Sequence, residues 1–357
     1  MSPCVLVINP GSTSTKVAVF STDSRLFEKS LSHSSQELSP YKTVASQYEF
    51  RRDAIMRELR AANFDIASLH AVVGRGGLLH PIPGGVYKVN EAMKNDLAAA
   101  AYGEHASNLG ALIADDIAKP LGIPAFIADP VVVDELSDLA RVSGNKLFKR
   151  ISIFHALNQK AVARRYASER GRRYEDLSLI IAHLGGGVSV GLHQSGRVVD
   201  VNNALNGEGP FSPERSGTLP TGALVKLCFS GQYSEKQIGR LIAGAGGMVS
   251  FLGTNDMREV EKRHNEGDPE ASLYFDAFIY QVSKAIGALA TAASGRVDAI
   301  IITGGIAYGK DIVDGLSRRC AFIAPIVAYP GEGELEALAQ AGFGALSGSQ
   351  TLREYLP

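Results

Sequence analysis

Apolar positions cluster in short runs near the start of the chain, at residues 5–8 and 17–20, with a polar stretch of Asn, Pro, Gly, Ser, Thr and Lys between them. Brief Val- and Ile-rich runs predict strands, and the small residues between them predict a hairpin tip. From there helical and strand periodicities alternate. Helical spacing covers residues 48–62, HAVVGRGG and HPIPGGVYKVN read as strands meeting glycine turns, and helical spacing returns over 91–116 with an interruption near 103–105. IPAFIADP predicts a strand ending at Asp129, because a residue before proline is pushed away from helical geometry and Pro130 itself lacks a donor. Residues 152–170 and 274–294 predict two long helices, the first joining two lobes. Such alternation predicts an α/β fold.

The opening theme then returns. LSLIIAHLGGGVSVGLHQSGRVVDVNNAL again sets an apolar strand, a small-residue tip (Gly185, Gly186, Gly187) and an alternating strand in order. DAIIITGGIAYGKDIVDGL adds a buried-type strand, the pair Gly304–Gly305 and a helix. A duplicated lobe of hairpin plus helices is the simplest architecture with this pattern.

Composition narrows the function classes. At 357 residues the prior is about two domains, and 45% hydrophobic with 20% charged residues is ordinary for a globular protein. A net charge of -1 gives no overall attraction to nucleic acid or to an anionic membrane. The cysteines, Cys4, Cys228 and Cys320, are too scattered for a disulfide framework or a zinc site. With no signal-like start and no apolar run near the ~18 residues of a membrane span, the expectation is a cytoplasmic protein.

Two motif matches are misleading. Gly304 to Lys310 reads G-x-x-x-x-G-K after a strand, but Asp311 stands where a P-loop needs Ser or Thr. Residues 187–191 match G-x-S-x-G, yet the alternation beyond Ser189 is that of a strand, whereas a nucleophile elbow turns into a helix. What survives is a set of three glycine- or hydroxyl-rich tips after apolar strands, at 11–15, 185–187 and 304–305. Their backbone N–H groups and hydroxyls suit phosphate oxygens. Arg75 between glycines and Arg215 in PERSGTLPTG are candidate anion grips, since a guanidinium binds carboxylate or phosphate in bidentate fashion. Asp129 and His155 stand beside them as strand-end and helix-start candidates. A surface arginine, an Asx turn or a core histidine remains the competing reading for each.

VINPGSTSTK, the Arg75 loop, IADP, FHALN, HLGGG, ERSGTLPTG, NDMR, TGGIAYG and GEGELEALA occur in one order across nearly the whole chain. Together they resemble the acetate kinase/butyrate kinase family. The resemblance implies two ribonuclease-H-like lobes of the actin-like ATPase fold around a nucleotide cleft, with 1–153 the first lobe, 154–333 the nucleotide-binding lobe, and 334–357 returning to the first. It implies ATP-dependent, Mg2+-assisted phosphorylation of a short-chain fatty acid, and a homodimer at least. By motif, Asn9 and Glu334 (with Glu332 as competitor) would serve the metal, while Ser12, Ser14 and Lys16 would face phosphate. His183, Gly185, Gly186 and Gly187 would cradle the nucleotide. Asp256, Met257 and Arg258, with Gly304, Gly305, Ile306, Ala307 and Tyr308, would line the adenosine side.

The resemblance further implies that Arg75 grips the substrate carboxylate, that Arg215 and His155 stabilise the phosphoryl group in flight, and that Asp129 orients the site. His105 resembles a substrate-side histidine. Gly76 and Gly77 stand where acetate-specific relatives tend to carry a bulkier apolar residue. On that reading the missing side chains leave room for a longer acyl tail, and two methylenes at ~0.8 kcal/mol each favour butanoate over acetate about fifteenfold. Acetate, propionate and branched-chain acids remain open as acceptors, and a nucleotide-dependent binding module or a Ser189 hydrolase remain the rivals from other classes.

Overall fold

The computed structural model describes residues 2–356. The chain forms two compact units, 1–133 with 333–357 and 134–332.

In the first unit, β1 (Cys4–Pro10), β2 (Ser14–Ser21) and β3 (Arg25–Ser32) form an antiparallel meander, and β4 (Ala71–Arg75) and β6 (Ala125–Ala128) add in parallel beside β1. With β5 (Val86–Lys88) and β12 (Leu352–Arg353) the order is β12-β5-β6-β4-β1-β2-β3. β1 is buried from Val5 onward because both of its faces are covered, which is why it reads as an unbroken apolar run. β3 lies at the edge and carries Arg25, Glu28 and Lys29, charges that discourage edge-to-edge pairing.

The second unit repeats the plan. β7 (Ser178–Leu184), β8 (Val188–Gln194) and β9 (Arg197–Val201) form the meander, and β10 (Ala299–Gly304) and β11 (Ile326–Pro330) add in parallel beside β7. The order β11-β10-β7-β8-β9 matches the first unit's β6-β4-β1-β2-β3 strand for strand. The duplication inferred from the two hairpins is therefore a duplication of whole ribonuclease-H-like sheets. Each unit has its own core: Leu6, Ile8, Val72, Ile113 and Ile127 belong to the first, and Ile180, Phe275, Phe278, Val282 and Ile302 to the second.

The first boundary lies after Val133, about twenty residues before the position expected from the sequence. Residues 134–152 are fixed to the second unit by several polar ties. Ser137 N–H donates to Val199 O at 2.8 Å, and Arg150 reaches Asp200 Oδ1 at 3.0 Å and Glu208 Oε2 at 3.1 Å. The buried Lys160 ammonium holds the Glu135 carboxylate at 2.8 Å. The helix expected from 152 begins at Ala156, because His155 sits in a non-helical conformation (φ -80°, ψ 62°) at its N-terminus. No helix among the described residues is long and apolar enough to cross a membrane.

Candidate active site

The first unit gathers its candidates where β1 and β4 end. The parallel register pairs Ile8 with Gly74, so Asn9 and Arg75 are the next residues along adjacent strands. Glu334 opens the helix Glu334–Ser347, whose positive N-terminal end favours a carboxylate. Asn9 Nδ2 donates to Glu334 Oε2 at 2.6 Å, and Arg75 Nη1 donates to Asn9 Oδ1 and to Glu334 Oε2, both at 3.1 Å. Nη1 is thus committed, whereas Nε and Nη2 of Arg75 make no hydrogen bond among the described residues. Glu332, the competitor, is exposed, and its carbonyl accepts from Asn158 Nδ2 at 2.5 Å in the second unit. Glu334 is the acidic residue that meets Asn9.

Directly across β1 from Asn9 stands Lys16, and paired residues project to the same face of a sheet. The tip between them turns tightly, with Gly11 N–H on Ser14 O at 2.8 Å, Ser12 exposed and Ser14 half-buried. Its shape is held from beneath by Arg51, which is fully buried. Arg51 Nη1 donates to Gly11 O at 2.7 Å and Ser14 O at 3.0 Å, and Nη2 donates to Ser12 O at 2.9 Å. Burial lowers the Arg51 pKa from its ordinary value. Sequence reasoning missed this residue, because an arginine within a helical pattern reads as solvated surface.

Asp129 is buried with φ +37°, an uncommon conformation for a residue with a side chain. It is kept there by a reciprocal pair: Gly85 N–H donates to Asp129 Oδ1 at 2.7 Å, and Asp129 N–H donates to Gly85 O at 2.9 Å. His105 precedes the helix Asn108–Ala118 and places Nδ1 2.8 Å from Ser107 Oγ. Gly76 and Gly77 overturn the argument made for them. A Cβ on Gly76 would lie 2.6 Å from Pro130 Cβ, and one on Gly77 would lie 2.5 Å from Asn108 Cα. The space their side chains would take is filled by protein, so these glycines let Pro130 and the start of Asn108–Ala118 pack against the end of β4. They do not open an acyl pocket.

In the second unit, His155 and His183 stack with ring centroids 3.8 Å apart and planes 11° from parallel. His183 Nδ1 lies 2.7 Å from Asn158 Oδ1, and His155 Nδ1 lies 2.8 Å from Ser189 Oγ. Ser189 is inside β8, as its alternation predicts, with no elbow around it. The β7–β8 tip is Gly185, Gly186 and Gly187, closed by Gly185 N–H on Gly187 O at 3.0 Å. Residues 212–215 clamp it: Ser212 Oγ donates to Gly186 O at 2.6 Å, and a Cβ on Gly187 would fall 2.1 Å from Arg215 Nη1. Arg215 lies across this glycine, its Nη1 donating to Ala204 O at 2.5 Å and its Nε and Nη2 making no hydrogen bond among the described residues. Burial lowers its pKa, with Glu214 opposing that effect.

β10 runs parallel to β7 with Thr303 beside His183, and Gly304 (φ +88°) abuts Leu184, where a Cβ would stand 2.3 Å from the carbonyl. The Gly304 turn therefore lies next to the glycine tip. Gly305, Ile306, Ala307 and Tyr308 form one 3-10 turn, with Ala307 buried and Tyr308 exposed. Asp311 is engaged with the helix Met257–Asn265, its N–H on Glu261 Oε1 at 3.2 Å and its carboxylate accepting from Asn265 at 2.9 Å, which accords with rejecting the P-loop. Asp256 caps that helix, and its pKa is held down to about 2, chiefly by the Arg258 side chain. Met257 is buried in the core.

Asn158, Gln159 and Ser212 were missed. The signal for the first two was present in FHALNQ, where residues three and four after His155 share its helix face.

A model of the Acetokinase family matches residues 139–317. The chain is 55% identical to butyrate kinase 2 and 53% identical to butyrate kinase 1 of Clostridium acetobutylicum, each over 98% of this chain and 99% of the relative. Among solved structures it is similar in fold to acetate kinase of Porphyromonas gingivalis (TM-score 0.79, 19% identity, 97% of this chain and 100% of that one). It is also similar to a propionate kinase of Francisella tularensis (TM-score 0.73, 18% identity, 95% of this chain and 98% of that one).

Proposed function

The chain belongs to the acetokinase family, and from that premise we propose that it is an ATP-dependent kinase of short-chain carboxylates with butanoate as its acceptor. A carboxylate oxygen of butanoate bonds to the γ-phosphorus of ATP, the bond to the β–γ bridging oxygen breaks, and butanoyl phosphate and ADP result, reversibly. The observation that carries the choice of acceptor is the identity of 55% to a butyrate kinase over 98% of the chain. The glycines beside Arg75 do not contribute to it.

Two anions must meet, so the protein's task is positioning and neutralisation. Arg75 and Arg215 share one arrangement: each is tethered through Nη1, to Asn9 and Glu334 in one case and to Ala204 in the other. This leaves the Nε–Nη2 edge, which is a bidentate donor face. We assign the Arg75 edge to the substrate carboxylate and the Arg215 edge to the transferring phosphoryl oxygens. His155 donates to the same oxygens and the tip at 185–187 cradles the nucleotide's phosphates; in the first unit Ser12 and Ser14 are assigned to phosphate. Asp129 acts by orientation, since a carboxylic acid is already ionised at pH 7 and needs no base.

Asn9 and Glu334 offer an amide and a carboxylate oxygen, the hard donors that suit Mg2+, and phosphate and water would complete its shell. When bound, the ion offsets charge on the β- and γ-phosphates. The test is ADP release measured with and without acid. Butanoate-dependent release, lost in both Arg75→Met and Arg215→Met, supports the assignment; slow acid-independent hydrolysis would favour a nucleotide-dependent binding module.

A further inference from the structure

The G-x-S-x-G match at residues 187–191 has a physical explanation that is not nucleophilic. Gly187 is where Arg215 lies, and a Cβ on Gly191 would stand 2.6 Å from Gln159 Oε1. The second glycine therefore admits the Gln159 amide beside Ser189. Gln159 Nε2 donates to Ser189 O at 3.1 Å and to Ser189 Oγ at 2.8 Å. Gln159 Oε1 lies 2.9 Å from His193 Nε2, and His193 Nδ1 lies 2.8 Å from Tyr174 OH. Ser189, Gln159 and His193 are fully buried and Tyr174 nearly so.

The orientation of the Gln159 amide is determined, and with it the bonds on either side. A carbonyl oxygen only accepts, so Ser189 O fixes the NH2 end of the Gln159 amide toward Ser189. Its oxygen then faces His193, whose Nε2 must carry the proton. In neutral His193 the other nitrogen, Nδ1, then accepts from Tyr174 OH. At the other end Ser189 Oγ accepts from Gln159 and has one proton to give, and His155 Nδ1 is 2.8 Å away.

We propose that Tyr174, His193, Gln159 and Ser189 form a directional hydrogen-bond chain that fixes His155 as its Nε2–H tautomer, holding a neutral donor toward the transferring phosphoryl group. Ser189 and Gln159 are positioning residues that act through His155. The inference rests on the role given to His155 above. It also explains why a serine is buried in mid-strand next to a site with no use for a serine nucleophile. A histidine pinned at Nδ1 presents one defined ring nitrogen, which is what second-sphere partners of functional histidines achieve generally.

The test is long-range 1H–15N correlation of imidazole resonances in the full-length protein labelled with 15N-histidine. The His155 signals are identified by their loss in His155→Asn. The expected result is a protonated Nε2 and an unprotonated, hydrogen-bonded Nδ1 at neutral pH. In Ser189→Ala the two nitrogen shifts should move toward each other, and kcat should fall on the order of tenfold, ~1.4 kcal/mol, with KM for ATP and butanoate within about twofold. Ser189→Thr, which keeps the hydroxyl, should restore the wild-type pattern. A proton on Nδ1 of His155 in the wild type overturns the proposal, whatever the variants do. So does a Ser189→Ala spectrum identical to wild type at His155. Wild-type protein with the Nε2–H signature but no acid-dependent ADP release would sink the kinase reading and leave the tautomer assignment standing.

Discussion

Asn9 and Glu334, 325 positions apart in sequence, share a hydrogen bond of 2.6 Å, and Arg75 Nη1 bonds to both. The helix Glu334–Ser347 returns to the first unit and delivers its first carboxylate to the end of β1. The same contact separates Glu334 from Glu332. Glu334→Gln should raise the Mg2+ concentration for half-maximal activity by about 10–100-fold, whereas Glu332→Gln should stay near wild type. Mg2+ titrations of the two variants read this directly, and equal shifts in both would contradict it.

Gly76 and Gly77 are tested by adding one carbon. If they lined an acyl pocket, alanine would shift preference toward acetate. Because the added carbons would fall 2.6 Å from Pro130 Cβ and 2.5 Å from Asn108 Cα, overpacking of about 1–3 kcal/mol is expected instead. Urea midpoints should fall in Gly77→Ala, while the butanoate-to-acetate ratio of kcat/KM in the folded enzyme should change less than about threefold.

Arg51 supports the Gly11–Ser14 tip from below. Replacing it with methionine removes the donors to Gly11 O and Ser12 O and leaves Ser14 O with Gly11 N–H alone, and a carbonyl left unsatisfied away from water costs about 1–3 kcal/mol. Lower thermal stability and a raised KM for ATP are expected. A stable variant with an unchanged KM would show that the tip keeps its shape unaided.

The fully buried His193 has a pKa well below 6.5, first through desolvation and then through Lys160 and Arg164. The folded state therefore favours neutral imidazole, and between the folded and unfolded pKa values the unfolded chain binds more protons. Stability is fully present above about pH 6.5 and is lost as pH falls toward the depressed folded pKa. His33, lowered by burial and by Arg51, acts in the same direction. The urea midpoint should decline from pH 7 to 5.5 in the wild type and less steeply in His193→Gln.

The hairpins and the duplicated architecture were legible because short apolar strands and glycine tips are local signals. Lys16 and the glycine tips stand out in those patterns, whereas Asn9 is singled out only through the family resemblance. What the sequence hid was contact across distance. Residues 134–152 look like part of the first unit until Arg150, Ser137 and Glu135 are seen to bond within the second. Gly76 and Gly77 looked like empty space, since a missing side chain says nothing of the neighbour that fills its volume. Ser189 looked like a failed nucleophile because a buried hydroxyl has no periodicity that reveals its partner.

The most direct measurement is trapping of acyl phosphate as the hydroxamate, with ATP, Mg2+ and a series of acids from acetate to valerate including isobutyrate. Product should require both ATP and acid, with the highest kcat/KM on butanoate. Absence of hydroxamate with every acid, in protein that binds ATP, would contradict the kinase reading.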